Sequence, residues 1–396
     1  MALTIDDARA RVLAAVEQPL PAEDVAVHEA LGRVLAEDVA AEHDVPAFAN
    51  SAMDGFAVRS GPAGRTLAIV GESRAGAPAA IVVGDGEAVR ISTGAALPDG
   101  ADAVLQIERA TVDGVRVTLD DDVDPGRNVR PAGDDLRAGA TILAAGTRLG
   151  AAEIGLAVAC GRATVACARP PRVVVLATGD ELVAPGAQLG PGQLHETNGL
   201  TLAALATQAG AHVVRSEVVP DTEAATRTAI ARALDEVDVL VLSGGVSVGP
   251  HDHVKPALEA LGVDEVFWRV ALRPGRPTWF GTRGRTLVFG LPGNPVSAMV
   301  TFLLFARPAL AALQGAPHEP ERLVARLAVA IPRHPDRDEC VRVTLREGVA
   351  TPTGPQGSHQ LRSMLGADGL AIVPAGEGTL DAGAEVAVER LDGSHW

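Results

Sequence analysis

Apolar residues recur at near-helical spacing at the start of the chain. Ile5, Ala8, Val12 and Val16 predict an amphipathic helix over 3–17, with Asp6 and Asp7 in its first turn, where negative charge suits the helix dipole. From about Val45 to Leu143 the pattern changes. Short apolar runs (LAIV, AIVV, AVRIS, AVLQIE, VRVTL) alternate with Gly, Pro and Asp turns, which predicts an all-β region. Residues 150–160, GAAEIGLAVAC, predict a close-packing helix of small residues, expected against the N-terminal helix. After Pro170-Pro171 the period changes again. The expected order is strand 172–177, loop TGDEL, a helix from Gly199 to Gln208 capped by Asn198, strand 212–219, and helix 222–235 capped near Asp221. Strand 237–242, loop SGGVSVG, helix 252–261, strands 263–271 and 286–290, and a helix from Pro295 to about Ala311 follow. Beyond Gly315 short strands return between PHEP, TPTGPQG and VPAGEG, enough for a small barrel or sandwich of about 80 residues.

These patterns make a multi-domain chain, α/β plus β. A central three-layer, mostly parallel α/β domain spans 170–315, because alternating strands and helices cover a sheet on both faces. An inserted β-rich domain spans 45–139, a small helical or linking domain takes 1–44 and 140–169, and a C-terminal β-barrel-like domain takes 316–396. Ligands on open α/β sheets bind beyond the carboxyl ends of the strands. TGDEL, SGGVSVG and LPGNP all fall at such ends.

Composition narrows the function. With 34 Lys and Arg against 50 Asp and Glu, the net charge is −16, a poor match for a nucleic-acid backbone, and 3% aromatics with no Tyr argue against a base-stacking platform. No nucleic-acid or membrane partner is expected. The N-terminus lacks signal-peptide character and no apolar run reaches the length of a membrane span, so the cytoplasm is the expected location. Three scattered cysteines, Cys160, Cys167 and Cys340, form no CxxC pair and fit buried thiols. Lys255 is the only lysine, and asparagine occurs only at Asn50, Asn128, Asn198 and Asn294. Positions that keep so rare a residue are candidates for sites that need its chemistry.

The most informative loop is Ser243-Gly244-Gly245-Val246-Ser247-Val248-Gly249. Glycines let backbone N–H groups approach a phosphate closely, and the hydroxyls of Ser243 and Ser247 add donors. Helix starts after this loop and after Leu291-Pro292-Gly293-Asn294-Pro295 would converge on one sheet edge and favour an anion there, with Pro295 at the first helical position and Asn294 as cap. Asp180 and Glu181 follow a buried strand, and Asp221 and Asp252 stand at other strand ends. Helix capping is the plainer reading of Asp221 or Asp252 alone. Together with ligand phosphates, such carboxylates form the oxygen-rich set that Mg²⁺ accepts. Lys255 offers a point charge, whereas Arg273 and Arg276 in RPGRP offer planar forks for an oxyanion. Asn50-Ser51-Ala52-Met53-Asp54-Gly55-Phe56-Ala57, Ile91-Ser92-Thr93-Gly94 and Gly133-Asp134-Asp135 read first as turns.

Taken in order, NSAMDGFA, ISTGAALPDGADAV, NVRPAGDD, TGDEL, SGGVSVGPHDHVK, RPGRP and GLPGNPVSA resemble the molybdopterin molybdenumtransferase family (MoeA, and the E domain of gephyrin). The likeness runs from residue 46 to 298 and is extended by ADGLAIVPAG. SGGVSVG alone is shared with the related adenylyltransferases; SAMDGFA with LPGNPVSA separates the two. The resemblance implies an elongated homodimer that converts adenylylated molybdopterin and molybdate to molybdenum cofactor and AMP with Mg²⁺. It implies that Asp54, Thr93, Asp135, Glu181, Asp221, Asp252 and Lys255 are functional, with Asp54 and Thr93 reaching the site across the dimer interface. Thr178, Gly179, Ser243, Gly244, Gly245, Ser247, Pro292, Gly293, Asn294 and Pro295 would bind substrate. Asp180, Glu181 and Asp252 would hold the metal, and Lys255 with Arg273 or Arg276 would receive molybdate. The family usually carries lysines at Arg273 and Arg276 and Tyr at Phe56. The pathway's adenylyltransferase is an expected partner. Alternative readings are that adenylyltransferase itself, or a gephyrin-like scaffold.

Overall fold

The computed structural model describes residues 2–246 and 253–391. Ser247, Val248, Gly249 and Asp252, singled out above, and His251 beside Asp252 therefore lie outside the described residues. The centre is a six-stranded sheet built from β1 (Arg172–Thr178), β2 (His212–Val219), β3 (Val239–Ser243), β4 (Asp264–Trp268), β5 (Trp279–Arg283) and β6 (Thr286–Leu291), in the order β2-β1-β3-β6-β5-β4. The first four of that row are parallel, and β5 turns the edge antiparallel. RVVVLA and VLVL are near-continuous apolar runs because both faces are covered. Val173, Val175, Val239, Val241, Leu287 and Phe289 bury on one face, while Val174, Leu176, Leu240, Leu242 and Val288 bury on the other.

The first face is covered by α1 (Ile5–Ala14), α2 (Asn198–Gln208) and the long helix Pro295–Leu313. The second is covered by α3 (Glu223–Leu234) and α4 (Val254–Ala260). The placement of α1 corrects the sequence reading. It packs on the central domain through Ile5, Ala8 and Val12, whereas helix Ala151–Ala159 packs in a separate core with Val25, Val27 and Leu149. Helix Pro295–Leu313 is apolar and 19 residues long, enough by length to cross a membrane, but 83% of its apolar window is buried inside the protein, so it is a core helix.

The β-rich region forms a second six-stranded sheet, in which Gly55–Val58 lies between Ala103–Gln106 and Glu87–Ile91. The Asp54-Gly55 pair is not a turn here: Gly55 opens a strand. A Cβ on it would stand 1.9 Å from the Leu105 carbonyl oxygen, so only glycine permits this backbone approach. The chain enters and leaves this region side by side, where the Val45 N–H donates to the Leu136 carbonyl at 2.8 Å.

At the C-terminus five strands close a barrel: Arg322–Leu327, Asp338–Arg346, Val349–Pro352, Gly369–Val373 and Glu385–Arg390. Leu272–Arg273 of the central domain adds to its edge beside Asp338 and Glu339. The N-terminal helix is tied to the barrel by charge. Arg9 grips both carboxylate oxygens of Glu389, at 2.9 and 2.7 Å, and the two side chains are only 4% and 3% exposed. Removing one member strands a buried charge, so Glu389→Gln is expected to cost about 3 kcal/mol in urea unfolding. At the rim of this network the Arg322 hydrogen bond holds the Asp6 carboxyl below its usual range, against the opposing effect of burial. Because the folded-state value is the lower one, Asp6 contributes stability above the unfolded carboxylate pKa and loses it as the pH falls through the folded value. Asp6→Asn should therefore lower the melting temperature at neutral pH, with the gap to the parent closing as the pH falls below the ordinary carboxylate range.

Candidate functional site

Three neighbouring parallel strands end side by side. Register places Ala177 opposite Ser243, and Ser243 opposite Leu291, so TGDEL, SGG and LPGN leave the sheet at one level. Gly244 and Gly245 adopt φ of +88° and +63°, a run of left-handed backbone that glycine alone tolerates cheaply. Their neighbours leave no room for a side chain. A Cβ on Gly244 would meet the Thr178 carbonyl at 2.9 Å and its Oγ1 at 3.0 Å; one on Gly245 would meet Val254 Cγ2 at 2.6 Å. An ideal Cβ at Gly293 would lie 3.7 Å from the Gly244 Cα, so the second and third turns touch as well. The Gly244 N–H donates to the Leu291 carbonyl at 3.1 Å, and Ser243 is buried between them.

Asn198 fastens these turns together. Its Nδ2 donates to Ser243 Oγ at 2.9 Å and to the Gly293 carbonyl at 2.7 Å. Sequence reasoning placed it as a helix cap. That task falls instead to the preceding turn, where buried Glu196 accepts the Gly199 N–H at 2.6 Å, and this frees the Asn198 amide to reach across the sheet edge. The one available signal was its rarity.

The acidic side of the site gathers at the ends of β1 and β2. Asp180 Oδ1 accepts the Asp221 N–H at 3.0 Å. Thr222, not Asp221, caps α3, its hydroxyl accepting the Ala225 N–H at 3.3 Å. Burial first, then the charges of Asp180 and Glu181, push the Asp221 carboxyl up, opposed by a hydrogen bond from the Asp180 backbone and, less, by His253. Glu181 folds back over its own turn: its carboxylate lies 2.7 Å from where a Gly179 Cβ would be. Among the described residues no three His, Cys, Asp or Glu side chains form a ready-made metal cage.

The two helix starts do not play equal parts. Helix α4 begins at Val254, not 252. Asn294 stands at the cap position before Pro295 but makes no side-chain cap bond, and the Val296 N–H is already taken by the Ser358 carbonyl at 3.1 Å. The barrel thus covers part of that helix start. Lys255 stands over the Trp268 ring, its Nζ 2.9 Å from the centroid. Arg273 is held towards Glu339 of the barrel at 3.8 Å, and Arg276 is exposed. A further cation was missed in the sequence. Arg342 is 1% exposed and donates to Ser363 Oγ (3.1 Å) and to the carbonyls of Cys340 (3.2 Å) and Gly357 (3.5 Å), all uncharged groups. Burial pushes it down to about 10, so it remains a cation at neutral pH. Strand alternation around Val341 and Val343 points position 342 outward, and the later segment around Gly357 and Ser363 covers it.

Asp54 and Thr93 meet each other, the Thr93 N–H donating to Asp54 Oδ1 at 2.7 Å, but they do so on the β-rich sheet. Asp135 lies apart, where the chain leaves that sheet, its N–H donating to the Val45 carbonyl at 3.0 Å.

Models of known families cover this layout in order. The MoeA N-terminal region (domains I and II) matches residues 3–161, the "Probable molybdopterin binding domain" matches 174–312, and the MoeA C-terminal region (domain IV) matches 324–391. A molybdopterin molybdenumtransferase of Haemophilus influenzae is 36% identical, over 98% of this chain and 99% of that one. The chain belongs to the molybdopterin molybdenumtransferase family. A Bacillus subtilis transferase of the same name is 34% identical over 94% of the chain. Dictyostelium discoideum gephyrin is 31% identical, with only 58% of its own length matched. The crystal structure of a MoeA protein from Pyrococcus horikoshii superposes with a TM-score of 0.84 at 32% identity, covering 99% of this chain and all of that one. The glycine-lined edge of this transferase thus lies inside the region that matches the probable molybdopterin binding domain.

Proposed function

We propose that this molybdopterin molybdenumtransferase binds adenylylated molybdopterin at the Thr178–Gly244–Gly293 edge and exchanges its nucleotide for molybdenum, releasing AMP. The observation that carries the reading is the closure of three parallel strand ends on one another, fastened by Asn198. Backbone N–H groups of the glycine turn beyond Gly244 bind phosphate oxygens, with Ser247 of the same loop contributing its hydroxyl, while buried Ser243, held by Asn198, fixes the start of the turn rather than donating to the ligand. Thr178, Gly179, Pro292, Gly293, Asn294 and Pro295 wall the site. Arg273, Arg276 and Lys255 receive molybdate, the two arginines carrying the charge that the family usually places on lysine.

Burial, and then the neighbouring charges of Asp180 and Glu181, raise Asp221, and a hard cation relieves such a donor set. Mg²⁺ keeps most of its waters and shares its site with substrate phosphates, so it needs no complete protein cage. Asp180, Glu181 and Asp252 would hold it, and once bound it would neutralise charge on the phosphoanhydride. Asp221 orients this group through its backbone contact with Asp180. Replacing molybdate oxygens by dithiolene sulfurs releases water, so protons must be delivered. Asp54 and Asp135 are the side chains assigned to that relay.

Asp54 and Thr93 would serve the partner's site in a homodimer. Supporting this, Phe48 and Met53, the latter next to Asp54 in the chain, are 52% and 41% exposed, apolar side chains suited to a subunit contact. Incubation with ATP and molybdopterin, without molybdate, tests the reaction assignment. No adenylylated product should form; its appearance would make the protein the preceding adenylyltransferase. Light scattering should give the mass of two chains, and a monomer at micromolar concentration would remove the cross-subunit role.

A further inference from the structure

Lys255, the only lysine, lies on α4 one residue beyond Val254, whose methyl group closes the space beside Gly245. Its ammonium stands 2.9 Å from the centroid of Trp268, and the guanidinium carbon of Arg269 stands 4.0 Å from the same centroid. The two cations are therefore no more than about 7 Å apart. Like charges so close repel, and contact with one indole offsets part of that cost, because the negative faces of the ring attract cations. Arg269 is also held in a left-handed backbone, φ +75°, which a bulky residue adopts only when its surroundings impose it.

The place of this stack in the fold gives it a role. Trp268 pairs with Trp279, and Trp279 with Gly290, so the ring stands one residue below the Leu291-Pro292-Gly293 turn, on the carboxyl edge of the sheet. The chain then runs straight into RPGRP: the Arg269 N–H donates to the Thr278 carbonyl at 2.9 Å and the Val270 N–H to the Arg276 carbonyl at 3.1 Å. The stack thus joins the glycine turn to the arginine segment.

We propose that Trp268 is a positioning residue, whose ring fixes Lys255 and Arg269 as a paired cationic wall for a doubly charged tetrahedral oxyanion. The inference rests on the functional reading above, and it adds Trp268 and Arg269 to the residues that reading uses. Trp268 touches no reacting atom; it acts by holding the two charges at one spacing.

The single lysine makes the test direct. Reductive methylation with ¹³C-formaldehyde labels Lys255 and the chain's amino terminus only, and dimethylation keeps the charge. In the parent protein the Lys255 methyl resonance should be displaced upfield by the indole ring current, and it should return to the position of a free lysine in Trp268→Leu. In the same variant KM for molybdate should rise roughly tenfold, the factor a partly desolvated cation–π contact supplies. The kcat should change less than about threefold, and Trp268→Phe should recover most of the loss. Arg269→Gln should raise the same KM. An unshifted Lys255 resonance in the parent, or an unchanged KM in Trp268→Leu, overturns the proposal. If the parent shows no molybdate-dependent AMP release, the functional reading fails instead, and the methyl resonance still decides the Trp268 geometry.

Discussion

Glu181→Gln is expected to lower AMP release from adenylylated molybdopterin by about a hundredfold or more, with little change in melting temperature. The magnitude is that of removing a charged group from a metal-assisted or proton-transfer step. The small thermal effect follows from exposure: the Glu181 side chain lies over Gly179 at the open end of β1 and supports no core. Glutamine keeps the shape and one oxygen but removes the negative charge that also raises Asp221. Single-turnover AMP release measured beside a thermal melt separates chemistry from folding. Normal turnover in this variant removes Glu181 from the reaction.

Gly244→Ala should be nearly as damaging, by a different route. The added methyl pays the left-handed backbone cost of roughly 1 kcal/mol and also meets the Thr178 carbonyl and hydroxyl at 2.9 and 3.0 Å. Thr178 belongs to the neighbouring turn, so relief of the clash parts the two turns. Affinity for the adenylylated substrate should fall at least about tenfold, the loss of one charge-assisted phosphate contact. Gly262→Ala is the matched control. Its φ of +73° carries the same backbone cost, but nothing lies within 4 Å of the added carbon. It should lose stability and keep affinity. Equal affinity losses in both variants, read by isothermal titration, would show that the contact between turns is irrelevant to binding.

Much of this arrangement is legible in the sequence. The switch from alternating runs to VVVL and VLVL marks a sheet covered on both faces, and ordered motifs at its strand ends locate the site. The misreadings share a cause: each depends on a neighbour remote in sequence. Asn198 reads as a cap until Glu196 is seen to take that bond. Asp221 reads as a cap until its N–H is seen on Asp180 and Thr222 is seen to cap the helix. Arg342 alternates outward on its strand until residues around Gly357 bury it. The β5 strand, WFGTR, is short and glycine-broken, and only pairing with β4 and β6 makes it a strand. Helix α1 carries no mark of its partner, because its apolar stripe would suit either core; only its packing among Phe302, Phe305 and Leu313 of the central core shows which it joins.

The central claim is that the three turns bind one nucleotide-capped pterin and that molybdate is required for its turnover. The most direct measurement is AMP release from adenylylated molybdopterin as molybdate is raised from zero, with the Gly244→Ala protein alongside. The account expects release that saturates with molybdate in the parent and is depressed at every concentration in the variant. AMP release independent of molybdate, or identical curves for the two proteins, would contradict it.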